Sequence, residues 1–228
     1  MKIKRILRVA LLIGMATCLP AFGQFAPITS PVPTYTGGTT LINIAGADGT
    51  IVNSIADGTE TVTLSQSLSE QTVPGGGWGS WGSPPNTEGN TPRVLAVFSQ
   101  VNSFTMTLSV PMATFGFEVE PDNFVTATIN ASFYNGGTLL GTVSRQVAGN
   151  AGALVAGASS SLPITSIVVT FSANSGGFAV ARLRYGSTFL ASLVPAVPAL
   201  TPAAFTGLAL CLAAAGSLLA RRAKQTAA

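Results

Sequence analysis

Two carboxylates two residues apart, Glu118 and Glu120, stand in the run Phe-Gly-Phe-Glu-Val-Glu-Pro-Asp-Asn, with Asp122 and Asn123 just beyond Pro121. On a strand, residues i and i+2 share a face, so both acids point the same way. Such a pair can serve as the acid and base of a glycosidase. Joined by Asp122 and Asn123, it can instead offer Ca²⁺ the several oxygens that this ion takes. The reading expected here is plainer. Phe115, Phe117 and Val119 fill the core, and the acids face water near Arg182 and Arg184, which share a face of their own strand.

A second candidate is the glycine-rich stretch 75–86, Gly-Gly-Gly-Trp-Gly-Ser-Trp-Gly-Ser-Pro-Pro-Asn. Its Trp78 and Trp81 can present indole faces to a sugar ring, as a glycan-binding platform. The competing and preferred reading folds both rings back to close one end of the core. Much else is excluded. The chain has no histidine and only two cysteines, Cys18 and Cys211, which removes Ser-His-Asp and Cys-His nucleophiles and the usual His and Cys zinc sites. No catalytic residue is assigned and no enzyme is expected. No cofactor is expected beyond the calcium possibility.

Strands must position these residues, because the dominant pattern is apolar–polar alternation in short segments broken by Gly, Asn and Pro. Phe104, Met106, Leu108 and Val110 alternate with Thr105, Thr107 and Ser109. Val125, Ala127, Ile129, Ala131 and Phe133 alternate with Thr126, Thr128, Asn130 and Ser132. Further segments are predicted at 49–55, 61–68, 93–98, 113–119, 139–147, 164–173 and 178–185. Asn135-Gly136-Gly137 supplies a hairpin turn, since Asn and Gly accept the positive φ that it requires. The expectation is an all-β, two-sheet antiparallel sandwich of jelly-roll type over residues 41–186, with an extended lead-in at 24–40 and a linker at 187–196.

The net charge of +3 is a property of the ends. Lys2, Lys4, Arg5 and Arg8 lie near one terminus and Arg221, Arg222 and Lys224 near the other. Between them four arginines face eight acids, a net charge of −4, which offers no patch for nucleic-acid phosphates. Residues 1–23 read as a secretory signal, with a basic start, an apolar stretch and Ala21-Phe22-Gly23 as the small-x-small cleavage site. The apolar run at 203–220 is long enough for about 27 Å of helix, close to the ~30 Å hydrocarbon core of a bilayer. Arg221, Arg222 and Lys224 behind it favour the cytoplasmic side.

The order of Val197-Pro198-Ala199-Leu200-Thr201-Pro202, apolar helix and basic end resembles the PEP-CTERM and IPTL-CTERM sorting signals of Gram-negative surface proteins. It is closer to the Ile-Pro-Thr-Leu-Ser form than to Val-Pro-Glu-Pro. The resemblance implies an inner-membrane intermediate held by residues 197–224, an exosortase-type protease as partner, and a destination at the cell surface or in the extracellular matrix. The runs Phe115 to Phe124, Gly141 to Arg145 and Phe178 to Gly186 resemble domains that recur beside such tails, and these too imply a sandwich. The expected function is an exported, non-catalytic surface or matrix protein. The alternative is a carbohydrate-binding module whose partner is a polysaccharide.

Overall fold

The computed structural model describes residues 24–172 and 175–193. The signal, the sorting motif, the 203–220 run and the basic end therefore lie outside the described residues. Among the described residues no helix is long and apolar enough to cross a membrane.

Ten strands carry the fold: β1 (Phe25–Ile28), β2 (Thr40–Leu41), β3 (Ile51–Ala56), β4 (Thr61–Thr72), β5 (Arg93–Val97), β6 (Ser103–Pro121), β7 (Thr126–Asn135), β8 (Thr138–Ala148), β9 (Leu154–Phe171) and β10 (Phe178–Gly186). Their pairing is antiparallel throughout, and the hydrogen-bonded path runs β2-β10-β5-β4-β6-β9-β7-β8. It makes an all-β antiparallel sandwich in which long strands serve both layers. The first half of β6 pairs with β4 through Met106 to Leu108. Its second half pairs with β10 through Thr114 to Pro121. Register shifts on either side of Met112 accomplish the change, since a bulge bends a strand and re-aims its downstream half. The segments 104–110 and 113–119, separate in the sequence reading, are thus one bent strand.

Alternation is obeyed where a layer has one wet side. Ala127, Ile129, Ala131 and Phe133 of β7 are buried between half-exposed or exposed neighbours. Asn135 pairs with Thr138 across Gly136-Gly137, with Gly136 at φ 55°, as the turn reading expected. The core between the layers includes a stack of three rings. Phe178 lies 4.5 Å from Phe104 and 4.6 Å from Phe171, centroid to centroid.

Two boundaries from the sequence are corrected. Residues 24–40 are no extended lead-in: β1 pairs with β9 from Phe25↔Ser160 to Ile28↔Gly157, and a short helix α1 (Pro33–Gly37) buries Tyr35. Nor is the start of 187–196 a free linker. Leu190 packs with Ile28, Tyr35 and Val155, and Ala191–Leu193 forms a 3-10 turn. In both stretches a few large apolar side chains, Ile28 and Tyr35 in one and Leu190 and Leu193 in the other, find sites on the sheet, which the low periodicity of the segments does not announce.

Phe178→Ala removes the shared member of the aromatic stack. It is expected to cost about 3–5 kcal/mol of unfolding free energy, read as a lowered urea midpoint with an unchanged slope; a loss under 1 kcal/mol would contradict the packing described.

Candidate functional site

The second half of β6 is buried on both faces. Phe115, Phe117 and Val119 enter the main core, while Thr114, Glu118 and Glu120 point the other way and are equally hidden. Loop 73–92 covers the two glutamates, whereas Thr114 bonds to Ser159 Oγ and the Thr188 carbonyl. Trp78 and Trp81 pack with the small side chains of Ala96, Ala179 and Ala181 in a second apolar cluster with Val73, Val94 and Ala153. The expectation that the acids face water is corrected here. Glu118 is 1% exposed and Glu120 0%, because twenty residues of glycine- and proline-rich chain fold over them.

The cover is fastened through the acids themselves. Trp81 Nε1–H donates to Glu118 Oε2 at 2.7 Å, and the Glu88 backbone N–H donates to Glu118 Oε1 at 2.6 Å. Trp78 Nε1–H donates to Glu120 Oε2 at 3.0 Å, and the Gly152 N–H donates to Glu120 Oε1 at 3.1 Å. Each of the four carboxylate oxygens therefore accepts one N–H. Glu88 in turn takes Arg184 in a forked pair at 2.6 and 2.8 Å, and Arg184 also donates to the carbonyls of Thr36 and Thr39. Burial pushes the Glu118 carboxyl up to about 6, against the opposing pull of the Glu88 and Trp81 N–H groups. Burial raises Glu120 and Asp122 as well.

This arrangement bears on each candidate. Glu118 and Glu120 do share a face, as their spacing requires, but no substrate reaches a pair sealed beneath two indoles. The four calcium candidates are not gathered together: Asp122 and Asn123 lie past the strand end, half-exposed and exposed, while the glutamates are occupied with N–H donors. Among the described residues no three acidic, His or Cys side chains converge on a possible metal position. The tryptophans are 4% and 3% exposed, and so neither offers an open stacking face. They pack, as preferred, though on the outside of a sheet and not at the end of the core. Arg182 and Arg184 do lie near Glu118, as expected, and Arg184 reaches the cover through Glu88.

The open aromatic side chain is one that the sequence reading passed over. Phe124, in the turn after β6, is 80% exposed and stands at a groove of ≈ 420 Å³ lined also by Trp78, Ser80, Asp122 and Asn150. Phe98, half-exposed, contacts Trp78 at 5.8 Å between centroids. The open ring at the groove is thus that of Phe124, with a carboxylate, an amide and a hydroxyl among the other lining residues. The available signal was an aromatic residue set in the polar turn Pro-Asp-Asn-Phe, where no core position was due.

No family model and no curated protein matches the chain. Solved structures do overlap it. A family 6 carbohydrate-binding module is 21% identical at a TM-score of 0.30, covering 55% of this chain and 87% of that one. A point variant of a family 29 carbohydrate-binding module is 10% identical at 0.33, covering 70% and 99%. The family 11 module of a Clostridium thermocellum cellulase is 12% identical at 0.30, covering 66% and 95%. At such scores nothing about ligand passes from them to this chain, and function must come from its own residues.

A carboxyl whose folded pKa is raised takes up a proton on folding, so its stabilising share is complete below the ordinary 4.5 and is lost as pH rises through about 6. Glu118 alone should lower unfolding free energy by about 2 kcal/mol between those limits. Asp57, lowered chiefly by the Glu60 backbone N–H, acts in the opposite sense below its usual 3.8 and leaves this window untouched. Urea midpoints that fall from pH 4.5 to 7 in the parent, and fall less in Glu118→Gln, are expected; a curve that rises over this range would contradict the burial.

Proposed function

We propose that this chain is an exported, non-catalytic carbohydrate-binding β-sandwich that engages polysaccharide at the Phe124 groove. One observation carries the reading: a large ring, four-fifths exposed, stands beside Asp122, Ser80 and Asn150. What sets this ring apart from the other exposed apolar side chains is its place at a groove beside polar groups. The apolar C–H face of a pyranose suits such a ring, and the sugar hydroxyls suit a carboxylate, an amide and a hydroxyl at its edge. The groove volume falls in the range of small-ligand sites, enough for one or two sugar units. The closed indole cover supports a binding role over catalysis, since it removes the one carboxylate pair suited to glycosidic chemistry.

Phe124→Ala tests this without disturbing the fold, as exposed positions tolerate change within about 0.5 kcal/mol. The full chain in non-ionic detergent is expected to bind at least one polysaccharide on a glycan array, and the variant to bind it about tenfold more weakly, equivalent to about 1.4 kcal/mol. An array silent for the parent, or equal binding by both proteins, removes the proposal.

On the same reading the chain reaches the cell surface, held in the membrane by 203–220 until an exosortase-type protease cuts near Val197 to Pro202. A signal-like start, the motif and the basic end support it. Intact mass from the native host's medium and outer surface is expected to reveal a species that begins at Gln24 and ends within 197–202. Recovery solely of a membrane-bound species retaining Lys224 would make the tail a permanent anchor.

A further inference from the structure

At the other end of β5 from Phe98, a cavity of ≈ 110 Å³ opens between Arg93, Arg182, Asn43, Thr91 and Pro92. No acidic residue lines it. Both arginines line it, and each has a buried Nε–H with no acceptor among the described residues. The remaining nitrogens of Arg93 are engaged: Nη1 donates to Thr72 Oγ1 at 2.8 Å, and Nη2 meets Asp48 at 3.1 Å, Glu70 at 3.8 Å and the Gly46 carbonyl, so the charge unmatched by an ion pair at this cavity is that of Arg182. Arg182 forms no ion pair with a described residue. Glu118, the acid whose carboxyl feels its charge, already spends both oxygens on Trp81 and Glu88.

The backbone adds a second observation. Arg182 has φ 51°, one of two non-glycine residues at positive φ among those described, and it sits inside the β10 bulge. Such a conformation is unfavourable for an L residue other than Gly, Asn or Asp, and strained positions cluster where a side chain is put to use. Bulges of this kind re-aim a side chain next to a site. Here the re-aimed side chain is a guanidinium, and it lines the cavity opposite another one. Guanidinium N–H groups left without an acceptor in a confined space select a partner with two or more anionic oxygens.

We propose that the Arg93–Arg182 cavity binds one small oxyanion of the carboxylate or sulfate class. Its volume is roughly that of three or four liquid waters at about 30 Å³ each, the size of a single such group. Asn43 and Thr91 add an amide and a hydroxyl at the wall. The site is independent of the Phe124 groove, and either can fail without the other.

The test is thermal unfolding of the full chain in non-ionic detergent, with sodium sulfate or sodium glucuronate titrated against sodium chloride at equal ionic strength. The parent is expected to show a saturable rise in Tm with at least one of the two anions. Arg182→Gly removes the guanidinium while placing at φ 51° the residue that accepts it best. That variant should remain folded and bind at least tenfold more weakly, and Arg182→Asn, also tolerant of this φ, should behave alike. Sulfate stabilises proteins in general by exclusion from their surface, but that effect is common to parent and variants and cancels in the comparison. A rise confined to glucuronate supports a carboxylate carrier such as an acidic sugar; one confined to sulfate supports a sulfate or phosphate ester. No saturable rise with either anion in the parent, or equal rises in parent and variants, overturns the proposal.

Discussion

Burying two carboxylates is the constraint on which one side of the molecule depends. An unpaired charge beneath a protein surface is costly, and it persists only where donors meet it. Glu118 and Glu120 meet four, two indole and two backbone N–H groups, each bonded to its own oxygen. The consequence is positional. With Trp78, Trp81 and Glu88 fixed over the sheet, the Glu88 carboxylate is set to receive Arg184, and Arg184 then reaches the carbonyls that end α1. The N-terminal segment and the cover are thereby tied to one strand.

The cover also needs room, and small residues provide it. Ala96, Ala179 and Ala181 lie under the indoles. A Cβ on Gly116 would sit 2.6 Å from the Tyr35 hydroxyl oxygen, so glycine is what lets that ring lie down. The indoles and the Tyr35 ring thus occupy the outer face of this layer above Glu118 and Gly116. Its aromatic surface is displaced to the rim, where Phe98 and Phe124 remain open.

Period-two alternation made β7 and the halves of β6 legible, and it placed Glu118 and Glu120 on one face correctly. It could not tell whether that face was wet. Alternation distinguishes two sides of a strand, but a third layer made of loop has no period of its own. The same blindness hid the first half of β9, where Ala156, Gly157, Ala158, Ser159 and Ser160 are small because both faces are covered. Tyr35 and Leu190 escaped for a related reason: each lies in an irregular segment whose few buried side chains have no period. Phe124 escaped because a phenylalanine in an apolar chain reads as core until its neighbours are seen to be a turn.

The cover and the groove are mechanically one object. No cysteine stands among the described residues to pin loop 73–92, whose six glycines make it expensive to order. Charge-assisted hydrogen bonds hold it in place of disulfides. Trp78 belongs to both sides of the arrangement: its N–H holds Glu120, its ring contacts Phe98, and it lines the groove. The opposite wall is held by backbone hydrogen bonds, Asn123 N–H to the Ser175 carbonyl and Gly149 N–H to the Val125 carbonyl, on either side of Phe124. Buried carboxylates on the covered face thus hold one wall of the groove in place, and under the proposed binding role that order would spare a ligand the entropy of arranging it.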